Sequence, residues 1–186
     1  MTERMFMFVG GVTGAWRILR TDAVIGESLP EAPRVEVVNS LVASPPPDAL
    51  WLLRGVTSNE RYVTRAERDL LVAKQPALGR PEAVHAALIP IRKSDAWWEL
   101  TQDERREIFE TRSEHIKTGL RYLPAVARRL HHSRDLGEPF DFLTWFEYSP
   151  EHSAAFEELV VSLRTSEEWK YVDREVDIRL VREVAA

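Results

Sequence analysis

The chain has 186 residues, 44% of them hydrophobic and 30% charged, with a formal net charge of −5. That balance suits a folded protein with a sizeable core and speaks against nucleic-acid binding through phosphate neutralisation. No apolar run approaches the roughly 20 residues of a membrane-spanning helix, and the absence of cysteine excludes disulfides and thiolate-held metals, so any metal would sit on histidine or carboxylate.

The first residues run into Gly10-Gly11 too soon for a secretory signal, which leaves the cytoplasm as the expected compartment. β-Branched and aromatic residues predict strands over 5–9, 15–19, 35–42 and 49–55, with Gly10-Gly11 as a turn and Pro45-Pro46-Pro47 breaking the third strand from the fourth. Thr64 is placed to cap a helix over 64–74, and 86–91 is predicted to be a buried strand.

Thr101 followed by Glu104 has the form of a capping box. It predicts a helix over 102–118 with Ile108, Phe109 and Ile116 on its apolar side and Gly119 as its stop. A second helix is predicted over 123–131, with Pro124 in its first turn. From Phe140 to Tyr148 the aromatics fall on one parity and Leu143, Trp145 and Glu147 on the other, the pattern of a strand. A helix from Pro150 to Leu163 and a strand over 172–184 complete the chain. The elements do not follow a regular βαβα alternation, so the fold class is α+β.

His115 falls beside the apolar face of the 102–118 helix, seven positions after Ile108. Spacing alone leaves it either a core histidine or a metal ligand. As a ligand it needs an acceptor for its other ring nitrogen, and Glu167 and Glu168 are the candidates. Arg128 could hold an oxyanion through its planar fork, although an Arg128-Arg129 pair is also what a solvated helix face looks like. Trp97 and Trp98 could be core aromatics or, with Lys93 and Tyr62, contacts for a flat cofactor and its acidic groups. His131-His132 would point apart on a helix and cannot easily share one ion, which makes them surface or interface residues. His85 and His152 have no ligand constellation around them, and neither a phosphate-binding loop nor a nucleophile elbow is present.

Longer runs carry more. Leu53-Arg54-Gly55-Val56, Asn59-Glu60-Arg61-Tyr62-Val63, the run from Ala87 to Ser94, the run from Trp97 to Arg106, Tyr122-Leu123-Pro124-Ala125 and the run from Gly137 to Tyr148 resemble the chlorite dismutase family, specifically its short, dimeric branch. The likeness extends from about Gly10 to the C-terminus. It implies two ferredoxin-like α+β units, an N-terminal one over 1–92 that is shortened and a haem-binding one over 93–186. It also implies haem b with His115 as proximal ligand, Glu168 accepting from that imidazole, Arg128 on the distal side, Gln75 near the arginine, and Lys93, Trp97, Trp98 and Tyr62 around the porphyrin and its propionates. The family reaction turns chlorite into chloride and molecular oxygen, in the usual proposal through a ferryl species and a hypochlorite-like fragment, and a homodimer is implied as the assembly. Two other readings stand beside this one. A coproheme decarboxylase of similar fold would be longer and would typically lack the arginine, and a haem-binding or sensing module would show only weak peroxidase activity.

Overall fold

In the computed structural model, which describes residues 4–39, 44, 46–57 and 63–183, the hydrophobic patterning resolves into eight strands. They are β1 (Met5–Gly11), β2 (Trp16–Ile25), β3 (Arg34–Asn39), β4 (Trp51–Val56), β5 (His85–Lys93), β6 (Val126–His132), β7 (Phe142–Tyr148) and β8 (Val172–Arg182). All pair antiparallel. They close into a barrel in the order β1-β3-β2-β8-β5-β7-β6-β4. Each half of the chain therefore supplies four adjacent strands in the ferredoxin-like order, β4-β1-β3-β2 and then β8-β5-β7-β6. The α+β class is borne out.

Stagger lets the N-terminal half join β1 to β2 without a crossover helix. Arg34 pairs with both Gly11 and Arg17, and Val35 with both Gly10 and Trp16. β2 thus starts at the level where β1 ends, and a short link suffices. Gly10-Gly11 is consequently part of β1 rather than a turn. Gly10 lies opposite Trp51, whose indole occupies the place a Cβ would take, with Cε2 only 2.0 Å from it.

Strand alternation divides the side chains between two cores. Leu143 and Trp145 of β7 face the barrel interior with Phe6, Phe8, Trp16, Leu53, Leu88 and Ile178. Phe146 and Tyr148 face outward, where they pack with Ile89, Ile91, Phe156, Leu159 and Leu163. The sheet of the C-terminal half is thus apolar on both faces and needs a helical cover. Burying each large apolar side chain stabilises by about 1.5–3 kcal/mol.

Helix α1 (Arg65–Lys74) starts at a Thr64–Glu67 capping box, and a Thr101–Glu104 box starts α3 (Gln102–Arg106), which follows the short α2 (Asp95–Glu99). The continuous helix predicted over 102–118 does not form. A π-helical turn, Glu107–Arg112, follows α3, and Glu114 adopts φ 48°. A new helix, α4 (His115–Arg121), then begins at the histidine itself, with the Glu110 carboxylate accepting from Ile116 N at 2.7 Å. Gly119 lies inside α4 and stops nothing. The helix predicted over 123–131 is replaced by β6, because residues 126–132 complete a ladder with 148–142 of β7 and bury Val126, Ala127 and His131. Tertiary pairing outweighs local propensity there. The helix predicted from Pro150 to Leu163 forms as α5 (Ser153–Arg164), and it covers the outer face. No helix among the described residues is long and apolar enough to cross a membrane.

Candidate active site

Between the outer face of the C-terminal sheet and the helices above it lies a cavity of about 910 Å³. Its walls include Ile89, Ile91, Phe142, Phe146 and Leu163. His115, Glu168, Lys93, Trp97, Arg128 and Gln75 also line it. Six residues singled out in the sequence therefore meet in one place.

The break after the π-helical turn puts His115 at the start of α4. There its Nδ1 lies 2.7 Å from Glu168 Oε2, and its ring stacks on Phe109 at 4.3 Å between centroids. A carboxylate can only accept, so Nδ1 carries a proton, and in the neutral imidazole the lone pair stays on Nε2 of a ring that lines the cavity. Glu167, the neighbour left open by spacing, turns outward to Arg112 at 3.2 Å.

Glu168 is buried in a turn of 3-10 helix, Glu167–Tyr171. Its Oε1 accepts from Lys93 Nζ at 2.7 Å, its backbone N–H donates to Ser113 Oγ at 2.9 Å, and the ammonium lies over the Trp97 ring at 4.6 Å. Burial pushes the carboxyl pKa up, but Lys93 and His115 overcome it and hold the group at about 2. Glu168 is thus a fixed anion whose two oxygens are divided between an ammonium and an imidazole. The Lys93 ammonium is spent on this pair rather than facing outward, and Asp141 fixes its backbone by accepting from Lys93 N at 2.7 Å.

Trp97 is buried with an indole N–H that has no hydrogen-bond partner. Trp98 is not among the cavity-lining residues, because its N–H donates to Asp141 at 3.2 Å and its ring is covered by Phe142 and the Arg134 guanidinium. Tyr62 lies outside the described residues.

Arg128 projects from β6 on the cavity side, while Arg129, next along the strand, lies over the Phe6 ring. The Gln75 side-chain amide donates to the backbone carbonyl of Arg128, and the guanidinium of Arg128 lies against α4 at Gly119. His131, expected at the surface or an interface, is instead buried inside the barrel. Its ring is flanked edge-on by Phe6 and Phe8, and its Nδ1 is 3.1 Å from Leu143 O. The strand puts successive side chains on opposite faces, which sends His131 inward and His132 toward the cavity.

Sequence reasoning missed Phe109 as the ring under the imidazole, Ser113 and Asp141 as anchors, and Trp169 as the second ring near the Lys93 ammonium at 5.4 Å. No helical spacing relates Phe109 to His115 across the break. The alternation of β7 could have marked Phe142 and Phe146 as walls.

Comparison with known proteins points to one family. The family model described as chlorite dismutase matches residues 48–184. The chlorite dismutase of Ideonella dechloratans is 38% identical over 126 residues, which are 67% of this chain and 42% of that protein, so the chain spans less than half of that relative's length. A crystal structure of a dimeric chlorite dismutase from Nitrobacter winogradskyi shares 60% identity with a TM-score of 0.89, covering 95% of this chain and 99% of the other. A chlorite dismutase from Candidatus Nitrospira defluvii in complex with imidazole, at 19% identity, covers 98% of this chain and 92% of its own with a TM-score of 0.69, a likeness of fold.

Proposed function

Because this chain belongs to the chlorite dismutase family, we propose that it is a haem b enzyme that converts chlorite to chloride and molecular oxygen, detoxifying chlorite, and that it acts as a homodimer in the cytoplasm. The dimer follows the Nitrobacter winogradskyi relative, which is described as dimeric. The observation that carries the reading is His115, held at Nδ1 by a buried anion with Nε2 left for a cavity that Arg128 also lines.

The residues present fit a haem. Among the described residues no group of three or more His, Asp or Glu could hold a bare metal ion, so a metal at His115 would need its remaining ligands from a macrocycle. The cavity falls within the size range of cofactor sites, its walls combine flat or branched apolar side chains with a few charged and polar ones, and the unpartnered Trp97 N–H beside it is a donor in want of an acceptor. Haem b bound there would supply the redox chemistry that breaks the Cl–O bond of chlorite and forms the O–O bond.

The protein's own residues then divide the work. His115 would hold the iron through its second ring nitrogen, and Glu168 fixes the imidazole's tautomer and raises its basicity. Lys93 keeps Glu168 ionised and shares its charge, which limits how far the imidazole proton is drawn away. Arg128 stays charged at every relevant pH, so it would attract the chlorite anion and restrain a chlorine oxyanion within the pocket by charge and hydrogen bonding. The apolar walls exclude the water that would compete.

An oxygen electrode tests this directly. Haem-loaded protein mixed with chlorite should release one molecule of oxygen per chlorite consumed, at once and without added reductant. Stoichiometric haem with no oxygen release would leave a binding or sensing module and end the proposal.

A further inference from the structure

We infer that Gly119 is a positioning residue for Arg128: the missing side chain leaves a bed on α4 for the guanidinium, one helical turn from His115. The inference deepens the proposed function and rests on its assignment of anion handling to Arg128.

Gly119 sits buried within α4, in the middle of a helix, where glycine costs about 1 kcal/mol relative to alanine. Its backbone is that of the helix, a conformation every L residue adopts, so no dihedral requirement calls for glycine. Space does. A Cβ at 119 would lie 1.9 Å from Arg128 Nη1, 2.5 Å from Nη2 and 2.6 Å from Cζ. All three nearest atoms belong to one guanidinium, so the volume a methyl group would fill is already taken by the end of that arginine.

The placement has a geometric effect. Residues four apart share a helix face, so the surface that receives the guanidinium adjoins the one that presents the imidazole. The other end of Arg128 is held too, through the bond from Gln75 to its carbonyl. With the backbone pinned from the end of α1 and the tip bedded on α4, the cation has a fixed address relative to Nε2 of His115. A methyl group at 119 would meet only the far end of a flexible side chain, which can swing away. The expected result of Gly119→Ala is therefore a sound fold with a displaced guanidinium.

The experiment is a double-mutant cycle on haem-loaded protein with Gly119→Ala, Arg128→Ala and the pair, using nitrite as a bent oxyanion probe and melting temperature as a second readout. Gly119→Ala alone should keep its haem and weaken nitrite binding by about tenfold, a change of about 1.4 kcal/mol. In the Arg128→Ala background the same substitution should leave the nitrite dissociation constant within about twofold and raise Tm by about 2–4 °C, the gain expected from helix propensity alone. With Arg128 present that gain should be smaller, because the guanidinium loses its bed. Equal shifts in both backgrounds, in either readout, would overturn the inference. So would Gly119→Ala failing to fold in both, because the backbone rather than Arg128 would then exclude the methyl group; folding only without Arg128 would support it. The melting cycle needs neither chlorite turnover nor nitrite, so a protein that releases no oxygen would refute the proposed function and still report on Gly119.

Discussion

The two halves of the barrel repeat one strand order, but β1 reaches β2 through residues 12–15 whereas β5 reaches β6 through α2, α3, the π-helical turn and α4. The outer surface of β2 accordingly leaves Leu19 and Val24 exposed, while the outer face of β5 and β7 is buried under α5 and its neighbours. Strand order closes the barrel in both halves, and the insertions between strands decide where a cavity can exist. Function then follows the cover rather than the sheet.

Removing the residues that make the C-terminal half special is the sharpest way to break that contrast. His115→Ala should abolish stoichiometric haem uptake, read from the absorption spectrum of the reconstituted protein, and unchanged ferric spectra would sink the assignment. Arg128→Ala should retain haem but lose about tenfold or more of its chlorite turnover, or inactivate within few turnovers; full and lasting oxygen release would remove the arginine from the reaction. Lys93→Met leaves the Glu168 anion buried without its ammonium, and denaturant titration should show a loss of about 3–5 kcal/mol.

Two smaller effects test the shared barrel. Burial, opposed by the contact with Leu143 O, lowers the His131 pKa from 6.5 to about 4. Between those values the unfolded chain takes up a proton that the folded protein refuses, so stability falls as the pH drops from 6.5 to 4, by about 3 kcal/mol in all. His131→Gln should flatten that window in denaturation curves. Glu168 acts lower, its contribution fading only from 4.5 toward 2, so the two separate. Gly10→Ala should cost about 1–3 kcal/mol through its clash with the Trp51 indole and leave haem binding untouched; lost haem would mean that the halves are not so independent.

What the sequence disclosed followed from local rules. Thr64 with Glu67 and Thr101 with Glu104 marked two helix starts because capping is a matter of adjacent residues, and the parity of Phe142, Phe146 and Tyr148 marked β7. The second helix was misplaced because nothing in Leu130-His131-His132 announces a strand; its partner in β7 makes it one. Ser113-Glu114 carries neither glycine nor proline, so the break that frees His115 from the preceding helix had no signal. The contact between His115 and Glu168 joins residues 53 apart in sequence and came from family resemblance, as did Gln75. Spacing alone could not have chosen Glu168 over Glu167.

The stack of Phe109 on His115 also bears on the thermodynamics of capture. Fixed at Nδ1 by Glu168 and across its face by the phenyl ring, the imidazole has surrendered its rotational freedom before anything binds. Immobilising a free side chain on binding costs about 0.5–1.5 kcal/mol. Here that entropy is lost during folding, so an occupant of the cavity keeps more of its intrinsic affinity.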